Sequence, residues 1–374
     1  MKNACAAAAL LAFTCAAHAQ SSVTLYGLID TAISWQTNQV GTTAANGRAL
    51  SSGSSVALGP GFFNGSRWGL LGSEDLGGGV SAIFRIEAGF NPTTGVSLQG
   101  NREFGRQAYV GIKGNYGQLT LGRQYSVPFD TLLPYDVIGW GNSPASDVWV
   151  QLLAGSRMDN TAKYTFTIDQ WKFNAAYSFG GQAGSVSHGS TYAAGLNYTG
   201  SVFSAGLTAQ QAKDLAGNKQ SNLGAGASYV TGPVTWQAYY LYTRRDGAFT
   251  PTSGQDFSPT YGTYTQFYTN PGNTNIGASG QARTDNVFQF GATWQATPSV
   301  QVKAAAIYDL GRHVNASGES GNKLSTFLTG DYSLSKRTDV YVAGAYSKVS
   351  GTFNGPFAGN DDSVSVTAGL RHRF

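Results

Sequence analysis

The sequence is poor in cysteine and charge and has no long apolar run. Its 374 residues include 2 Cys and 2 Met, and charged residues make up only 12%. A typical soluble domain carries about 25% charged residues. Helical membrane proteins need apolar runs of about 18 residues or more, and this chain, with a mean hydropathy of −0.18, has none. These shortages argue against both a helical membrane protein and an ordinary cytosolic enzyme.

Both cysteines lie in a short segment at the start of the chain. Lys2 supplies a positive charge, residues 4–16 are apolar, and Ala17-His18-Ala19 has the small-x-small form of a cleavage site. This order predicts a signal peptide over residues 1–19, too short for a membrane anchor, followed by one domain over residues 20–374. The exported chain would hold no thiol, which excludes a disulfide, a zinc–thiolate site and a cysteine nucleophile.

Glycine and aromatic residues are abundant instead. The chain has 50 Gly, and Phe, Tyr and Trp together reach 13%. Plentiful aromatic residues argue against disorder, and together with this much glycine they indicate many strands joined by tight turns. Without Lys2 the chain carries 23 basic and 20 acidic residues. This small and dispersed excess predicts no nucleic-acid partner.

Most of the chain alternates between apolar and polar residues with a period of two. The last segment, 363–374, reads SVSVTAGLRHRF, so Val364, Val366 and Leu370 share one face and Ser365 and Arg371 share the other. The same pattern predicts sixteen strands, near residues 22–36, 65–74, 79–90, 105–113, 118–124, 161–168, 171–179, 191–199, 201–211, 222–230, 234–244, 285–296, 299–309, 323–332, 338–348 and 362–374.

The connections between these strands alternate in length. Turns such as 169–170 and 231–233 are short, whereas 37–64, 125–160 and 245–284 are long. A soluble sandwich could also alternate, with its apolar face as the core. The even strand count, the aromatic residues at strand ends and the unequal connections favour an all-β, 16-stranded antiparallel transmembrane β-barrel. We therefore expect a multi-pass barrel in an outer membrane, reached by export.

The sequence also resembles the general porins of Gram-negative bacteria, and among them the β-proteobacterial type. The resemblance covers the whole exported chain and rests on the motifs VTLYGLID (23–30), SRWGLLGSEDLGGG (66–79), RQAYVGIKG (106–114), LGRQYSVPFD (121–130), MDNTAKYTF (158–166) and GLRHRF (369–374). It implies a homotrimer surrounded by outer-membrane lipid and lipopolysaccharide, a water-filled channel for ions and small hydrophilic solutes, and a constriction loop folded into the lumen. It also implies that Phe374, the last residue, is an assembly signal.

Residues 125–160 fall where the resemblance places the constriction loop. The loop is acidic: against Arg157 alone it holds Asp130, Asp136, Asp147 and Asp159. We expect Asp130, Asp136 and Asp147 to face basic residues of the wall. The wall candidates are Arg67, Arg85, Arg123 and Lys163. Because the chain outside the loop is basic, we expect a mild preference for anions.

Arg123 is the least regular of these wall candidates. It matches the Gly-Arg-x-Tyr motif of the resembled family, whose arginine lines the constriction, but by parity it shares a face with Leu119 and Leu121. A β-bulge where the strand turns into the loop would reconcile the motif with the parity.

Catalytic and cofactor motifs are missing from the sequence. No H-E-x-x-H, P-loop or G-x-S-x-G motif occurs. We therefore expect neither enzymatic activity nor a cofactor or metal site. Two alternatives to a general channel stay open. One is a substrate-specific outer-membrane channel, which a saturable solute site would reveal. The other, with less support, is a barrel enzyme, which would need a histidine with acid or serine partners near one rim.

Overall fold

The computed structural model describes residues 21–40, 52–139, 141, 151–255, 281–314, 317–351 and 360–374. The predicted signal peptide at 1–19 and the loop residue Asp147 lie outside these ranges. Both therefore stay predictions.

Strands account for most of the described chain. In chain order they are β1 (Ser22–Val40), β2 (Ser52–Pro60), β3 (Arg67–Gly77), β4 (Val80–Gly89), β5 (Gln107–Gly114), β6 (Gly117–Tyr125), β7 (Arg157–Ile168), β8 (Trp171–Ser178), β9 (Thr191–Thr199), β10 (Phe203–Lys213), β11 (Lys219–Thr231), β12 (Val234–Arg245), β13 (Arg283–Thr297), β14 (Val300–Arg312), β15 (Gly321–Ser333), β16 (Thr338–Gly351) and β17 (Asp362–Arg373). Between β6 and β7 lie a short helix α1 (Val127–Leu132), a 3-10 turn (Leu133–Tyr135) and a π-helical turn (Gln151–Gly155). No helix in the described ranges is long and apolar enough to cross a membrane.

These strands form one antiparallel sheet that closes on itself. Each strand from β3 to β17 pairs with the next, and β17 pairs with β1 from Leu28↔Arg373 to Gln36↔Ser365. The shorter strands β2 and β3 share one position in the wall beside β1. Strand β2 pairs with the second half of β1, and β3 pairs with its first half. The seventeen strands therefore occupy sixteen positions around the wall, which confirms the predicted 16-stranded barrel.

The two faces of the wall have opposite chemistry. Apolar side chains such as Phe290, Leu328 and Val342 point outward, and each is more than half exposed. Polar residues such as Asp309 and Thr329 point inward and are buried. An apolar exterior around a polar lumen is the arrangement that a membrane-spanning barrel requires.

A six-residue segment between β2 and β3 leaves the wall and enters the lumen. We call residues 61–66 the inward turn. At Asp30 this segment interrupts the pairing of β1 with β2 and β3. The backbone N–H and C=O groups of Asp30 on that side therefore need other hydrogen-bond partners. The turn itself supplies them, because Gly61 N donates to Asp30 O (2.8 Å) and Asp30 N donates to Ser66 Oγ (3.0 Å). The strand β2 and residues 61–64 of this turn lie in the stretch 37–64 that the sequence had predicted as a loop, and residues 65–66 lie in the predicted strand 65–74.

The ladder between β6 and β7 contains the irregularity expected near Arg123. Its register shifts between Gly122 and Gln124, and the extra residue lies on β7. Asn160 in that stretch has φ of 51°, and Gly122 has φ of 134°, a conformation that favours glycine. The bulge breaks the period of two at the point where β6 leads into the long connection.

Candidate functional site

The connection after β6 folds into the barrel. We call residues 126–139 and 141 the lumen loop. Helix α1 begins where Ser126 Oγ accepts a hydrogen bond from Phe129 N (3.3 Å), and Pro128 fits its first turn. The six-residue helix presents Val127, Phe129 and Leu132 as buried side chains. Because they face the inner wall and not lipid, the lumen loop carries an apolar core inside the barrel.

Glycines on the inner face of β9, β10 and β11 make room for the lumen loop. A methyl group at Gly195 would overlap Thr131 and Val127, and one at Gly206 or Gly226 would overlap the ring of Tyr135. Burial raises the pKa of Tyr135, and a hydrogen bond from Asn197 partly offsets that rise. The loop therefore lies directly against the wall backbone, with a neutral tyrosine at the point of contact.

Carboxamide side chains of the wall hold the backbone of this connection. Asn197 donates to Thr131 O (2.9 Å), and Gln289 donates to Tyr135 O (3.1 Å). The returning segment is held in the same way by donors on β10 and β11, with Gln210 bound to Ala154 O and Gln220 and Asn222 bound to Leu153 O. These donors carry no charge, so the anchoring does not depend on the ionisation of either partner.

A cluster of arginines lies on the wall around a single carboxylate. Glu87, which is fully buried, accepts from Arg106 Nε (2.7 Å) and from Arg85 Nη2 (2.9 Å). Tyr26 Oη also donates to Glu87 (2.8 Å) and accepts from Arg85 Nε (2.7 Å). One carboxylate thus orients two guanidinium groups, and the side chain of Arg85 is 31% exposed to the lumen.

Two more arginines complete this cluster. Arg67 lies within electrostatic range of Arg106, Arg157 and Glu87. The guanidinium of Arg157 lies 4.9 Å from the ring centre of Tyr125, whose hydroxyl accepts from Arg106 (2.8 Å). We call Arg67, Arg85, Arg106, Arg157 and Glu87 the basic wall. It carries four positive charges and one negative charge.

A direct ion pair joins the lumen loop to the wall. Lys163 Nζ lies 2.8 Å from Asp130 Oδ2 and also donates to Tyr125 O (3.0 Å). The predicted wall residue and the predicted loop residue are therefore in contact. Asp130 is therefore held by the charge of Lys163.

Arg123 lies apart from the basic wall. Its side chain is 9% exposed, pairs with Asp159 (2.6 Å) and donates to Gly105 O (2.7 Å). Asp159 is shared with Arg102 (2.7 Å) on the connection before β5. Although Arg123 shares the parity of the outward-facing Leu119 and Leu121, its side chain is buried in a cluster that joins neighbouring loops.

A second charged cluster lies on β14 to β17, on the other side of β1 from the basic wall. Arg371 pairs with Asp331 and Asp339, both at 2.9 Å. Buried Asp136, the second predicted loop acid, lies within electrostatic range of Lys303 in this cluster. Acids and bases are close to balance here, in contrast to the basic wall.

Sequence reasoning missed Glu87, Arg106 and Arg157 as parts of this site. Glu87 had the same inward parity as Arg85, which was a usable signal. Arg106 lies just before the first paired residue of β5, where alternation has not begun. The register shift in β7 separates Arg157 from Lys163, so counting by two from Lys163 gives no reliable face.

Two further sequence predictions concern metal binding and the chain terminus. The described ranges contain no group of three or more His, Cys, Asp or Glu able to hold a metal ion. At the terminus, Phe374 N donates to Gly27 O and Gly27 N donates to Phe374 O, both at 3.0 Å. The Phe374 ring covers Gly27, where a methyl group would overlap it. The last residue thus takes part in the seam where the barrel closes.

Comparison with protein families gives a match along nearly the whole chain. A family model described as Gram-negative porin matches residues 6–352. An outer membrane porin protein of Bordetella pertussis is 32% identical over 405 residues, and the alignment covers 100% of both chains.

Solved structures share the architecture. An anion-selective porin from Comamonas acidovorans aligns with a TM-score of 0.69 at 23% identity, covering 95% of this chain and 100% of that one. The trimer form of OmpT from Vibrio cholerae aligns with a TM-score of 0.60 at 14% identity, covering 95% and 99%. At these identities the structures establish the shared fold.

Proposed function

The chain belongs to the Gram-negative porin family, and from this premise we propose that its outer-membrane channel prefers anions. Members of the family are channels and not enzymes, and this chain is an outer-membrane barrel that passes small solutes. The proposal concerns the sign of its charge preference. We infer that the sign is set by the basic wall facing the lumen loop.

The observation that carries the proposal is the uneven charge of the basic wall. Four arginines surround Glu87, whereas Asp130 on the lumen loop is already paired with Lys163. Fixed charges act strongly in a lumen with low-dielectric walls, because field lines are focused there. The net positive charge of the basic wall therefore attracts anions into the lumen and repels cations. The name of the structural neighbour from Comamonas, an anion-selective porin, supports the same sign.

The test is the reversal potential of single channels in a planar bilayer under a salt gradient. We expect the wild-type channel to favour the anion. This preference should weaken as salt rises above about 0.1 M, because the Debye length there is about 10 Å and the fixed charges are screened. Arg85→Ala and Arg67→Ala should each move the reversal potential toward the cation. Removal of one charge should change the permeability ratio by about twofold.

Two matched arginine variants control for the loss of charge itself. Arg244 is half exposed at the end of β12, and Arg123 is buried with Asp159. Arg244→Ala and Arg123→Ala should leave the reversal potential near that of the wild type. The proposal is wrong if the wild type favours cations, or if all four variants behave alike.

The same barrel is proposed to assemble as a homotrimer. The outward face of β1 to β6 is mainly aliphatic, with exposed Leu25, Ile33, Leu58, Val110 and Ile112. The outward faces of later strands carry rings at their ends, which suit a lipid interface with its lipopolysaccharide. Those rings include Trp171, Phe203, Tyr229, Trp236, Trp294 and Tyr332. The sector β1 to β6 is mainly aliphatic, although it also exposes Trp35, Trp68 and Tyr116, and an aliphatic surface of this kind is suited to protein contact.

Oligomeric state can be measured on the detergent-extracted protein. We expect unheated material to migrate as a trimer and heated material as a monomer. Leu25→Arg together with Ile112→Arg should shift unheated material to the monomer. The control pair Leu207→Arg and Leu223→Arg lies on β10 and β11, about halfway around the barrel from β1 and β5, and should not. A wild type that is monomeric before heating contradicts the proposal.

A further inference from the structure

The inward turn occupies a position from which it can control the lumen loop. Its two aromatic residues, Phe62 and Phe63, are 1% and 2% exposed, although they lie within a water-filled barrel. They belong to the same buried cluster as Val137 and Ile138 near the tip of the lumen loop. The space at Gly141 is bounded by the backbone oxygens of Phe62 and Phe63 and by Ile138. The turn therefore lies between the loop tip and the wall.

A single carboxylate organises the turn. Asp30 on β1 accepts from Asn64 N through Oδ2 (2.8 Å) and from Tyr341 Oη through Oδ1 (2.7 Å). The hydroxyl of Tyr341 in turn accepts from Phe62 N (2.8 Å). Together with the backbone bonds from Gly61 and to Ser66, these contacts fix both ends and the middle of the turn. A methyl group at Gly61 would overlap Asp30, which shows how closely the two fit.

The wall behind the turn holds Phe63 by its ring. The guanidinium of Arg371 lies 4.9 Å from the ring centre, and Lys303 Nζ lies 5.4 Å from it. The Tyr341 ring packs edge-on at 4.8 Å. Arg371 also donates to Asn64 Oδ1 (2.7 Å). Cation–π contacts strengthen when they are withdrawn from water, so the turn is bound tightly to β14, β16 and β17.

We propose that Asp30 is a positioning residue for solute passage: it holds the inward turn as a brace that fixes the tip of the lumen loop, and so sets the cross-section of the channel. The inference rests on the proposed channel function. Carboxamide donors already fix the root and middle of the lumen loop on β9 to β13. The brace fixes the remaining end, against β1, β14, β16 and β17. A loop fixed at both ends gives a constant cross-section.

Two variants test the brace from its two ends. Asp30→Asn keeps the size of the side chain but removes its charge and one acceptor for the N–H and O–H donors. Phe62→Ala with Phe63→Ala keeps Asp30 and removes the rings that contact the loop tip. We expect both to raise open-channel current noise and to raise conductance about 1.2- to 1.5-fold, because the tip gains room to move toward the wall. Both should also admit larger neutral sugars in liposome swelling.

Ser34→Ala is the matched control. Ser34 lies on the same strand and its hydroxyl bonds to Thr367 (2.9 Å), without touching the inward turn. It should conduct with wild-type noise and the wild-type size limit. The brace is overturned if both test variants, folded by circular dichroism and oligomer mobility, match Ser34→Ala. Channel activity in the wild type would still stand in that case, so the two proposals fail separately.

Hydrogen–deuterium exchange of the wild-type protein in detergent gives a test that does not depend on any variant assembling. We expect the amides of Phe62 and Asn64 to exchange as slowly as those of the neighbouring strands, since each donates to a buried acceptor. We expect residues 136–139 to be protected along with them. Fast exchange across 61–66 within an otherwise protected barrel would overturn the brace.

Discussion

Arg85 and Arg123 differ in exposure, although both lie near the same wall. Arg85 is 31% exposed and shares Glu87 with Arg106, whereas Arg123 is 9% exposed and shares Asp159 with Arg102. A charge that stays partly exposed acts on passing ions, whereas a buried and paired charge mainly stabilises its surroundings. Exposure, more than residue type or the number of partners, therefore decides which arginine influences permeation.

Asp214 offers a residue-scale test of how an outer connection is ordered. Its carboxylate accepts from the backbone N–H groups of Ala216, Asn218 and Thr250 and from the Asn218 side chain. Burial by itself raises the pKa of Asp214, but these donors outweigh it, so the pKa lies below its ordinary value of 3.8. The ionised form is therefore the one that the folded connection favours.

The sign of the pH dependence follows from that lowered pKa. The stabilisation is present above pH 3.8 and is lost as pH falls through the lower folded value. We expect the amide of Thr250 to be protected from hydrogen exchange at pH 6 and to lose protection below pH 3.8. Asp214→Ala should remove the protection of the Thr250 amide already at pH 6, because it lowers the free energy of local opening by roughly 2 kcal/mol. Asp75→Ala, in an exposed turn, is the control and should change nothing at Thr250.

Glycines beneath the lumen loop give a prediction at the scale of an element. The Cβ of Gly226→Ala would overlap the Tyr135 ring and push the loop away from the wall toward the centre of the lumen. We expect a lower single-channel conductance and a loss of stability of about 1–3 kcal/mol, as for other overpacked sites. Gly330→Ala is a matched control, because nothing lies within 4 Å of its added carbon. Equal conductance in both variants would contradict the assigned packing.

The strands were predictable from sequence because lipid and water act on opposite faces of every strand. All sixteen predicted segments coincide with wall positions, since alternation persists wherever one side meets lipid. The residues SGSSVALGP of β2 carry that signal only at Val56 and Leu58, because small residues occupy most other positions on both faces. The inward turn was also unpredictable. Phe62 and Phe63 look like loop residues until Asp30, Tyr341 and Arg371, distant in sequence, are placed around them.

The site was predictable only in part, for a related reason. Arg67, Arg85 and Lys163 could be assigned by parity because they lie within regular ladders. Asp130 could be placed on the loop, but its pairing with Lys163 depends on where α1 lies against the wall. Arg157 and Arg123 lie on either side of a register shift, where a period of two carries no information.

At the scale of the whole molecule, Phe374 links the end of the chain to its beginning. It exchanges two backbone hydrogen bonds with Gly27, and its ring is 42% exposed toward the exterior. Deleting Phe374 should lower the free energy of unfolding by only roughly 1–3 kcal/mol through lost hydrogen bonds. We nevertheless expect a severalfold fall in the amount of protein in the outer membrane. The reason is that an exposed terminal ring is available for recognition during assembly. Fractionated cells would show the missing protein in the periplasm.

A control for this deletion lies at the same end of the barrel. Phe203→Ala removes another exposed ring, 48% exposed, from the start of β10. It should leave outer-membrane levels close to those of the wild type. If the deletion also accumulates normally, Phe374 is no more than another outward-facing aromatic residue.

The anchoring of the inward turn also bears on the order in which the molecule folds. Asp30 and Tyr341 are separated by 311 residues, and their contact can form only when the first and last strands have come together. Contacts between such distant residues form late, because chain entropy must be lost before they contribute. The turn therefore docks after the barrel has closed, and the narrow passage is completed last. A chain whose barrel has not closed would lack the Asp30–Tyr341 contact that fixes the lumen loop. A channel of the native width therefore indicates that the barrel has closed.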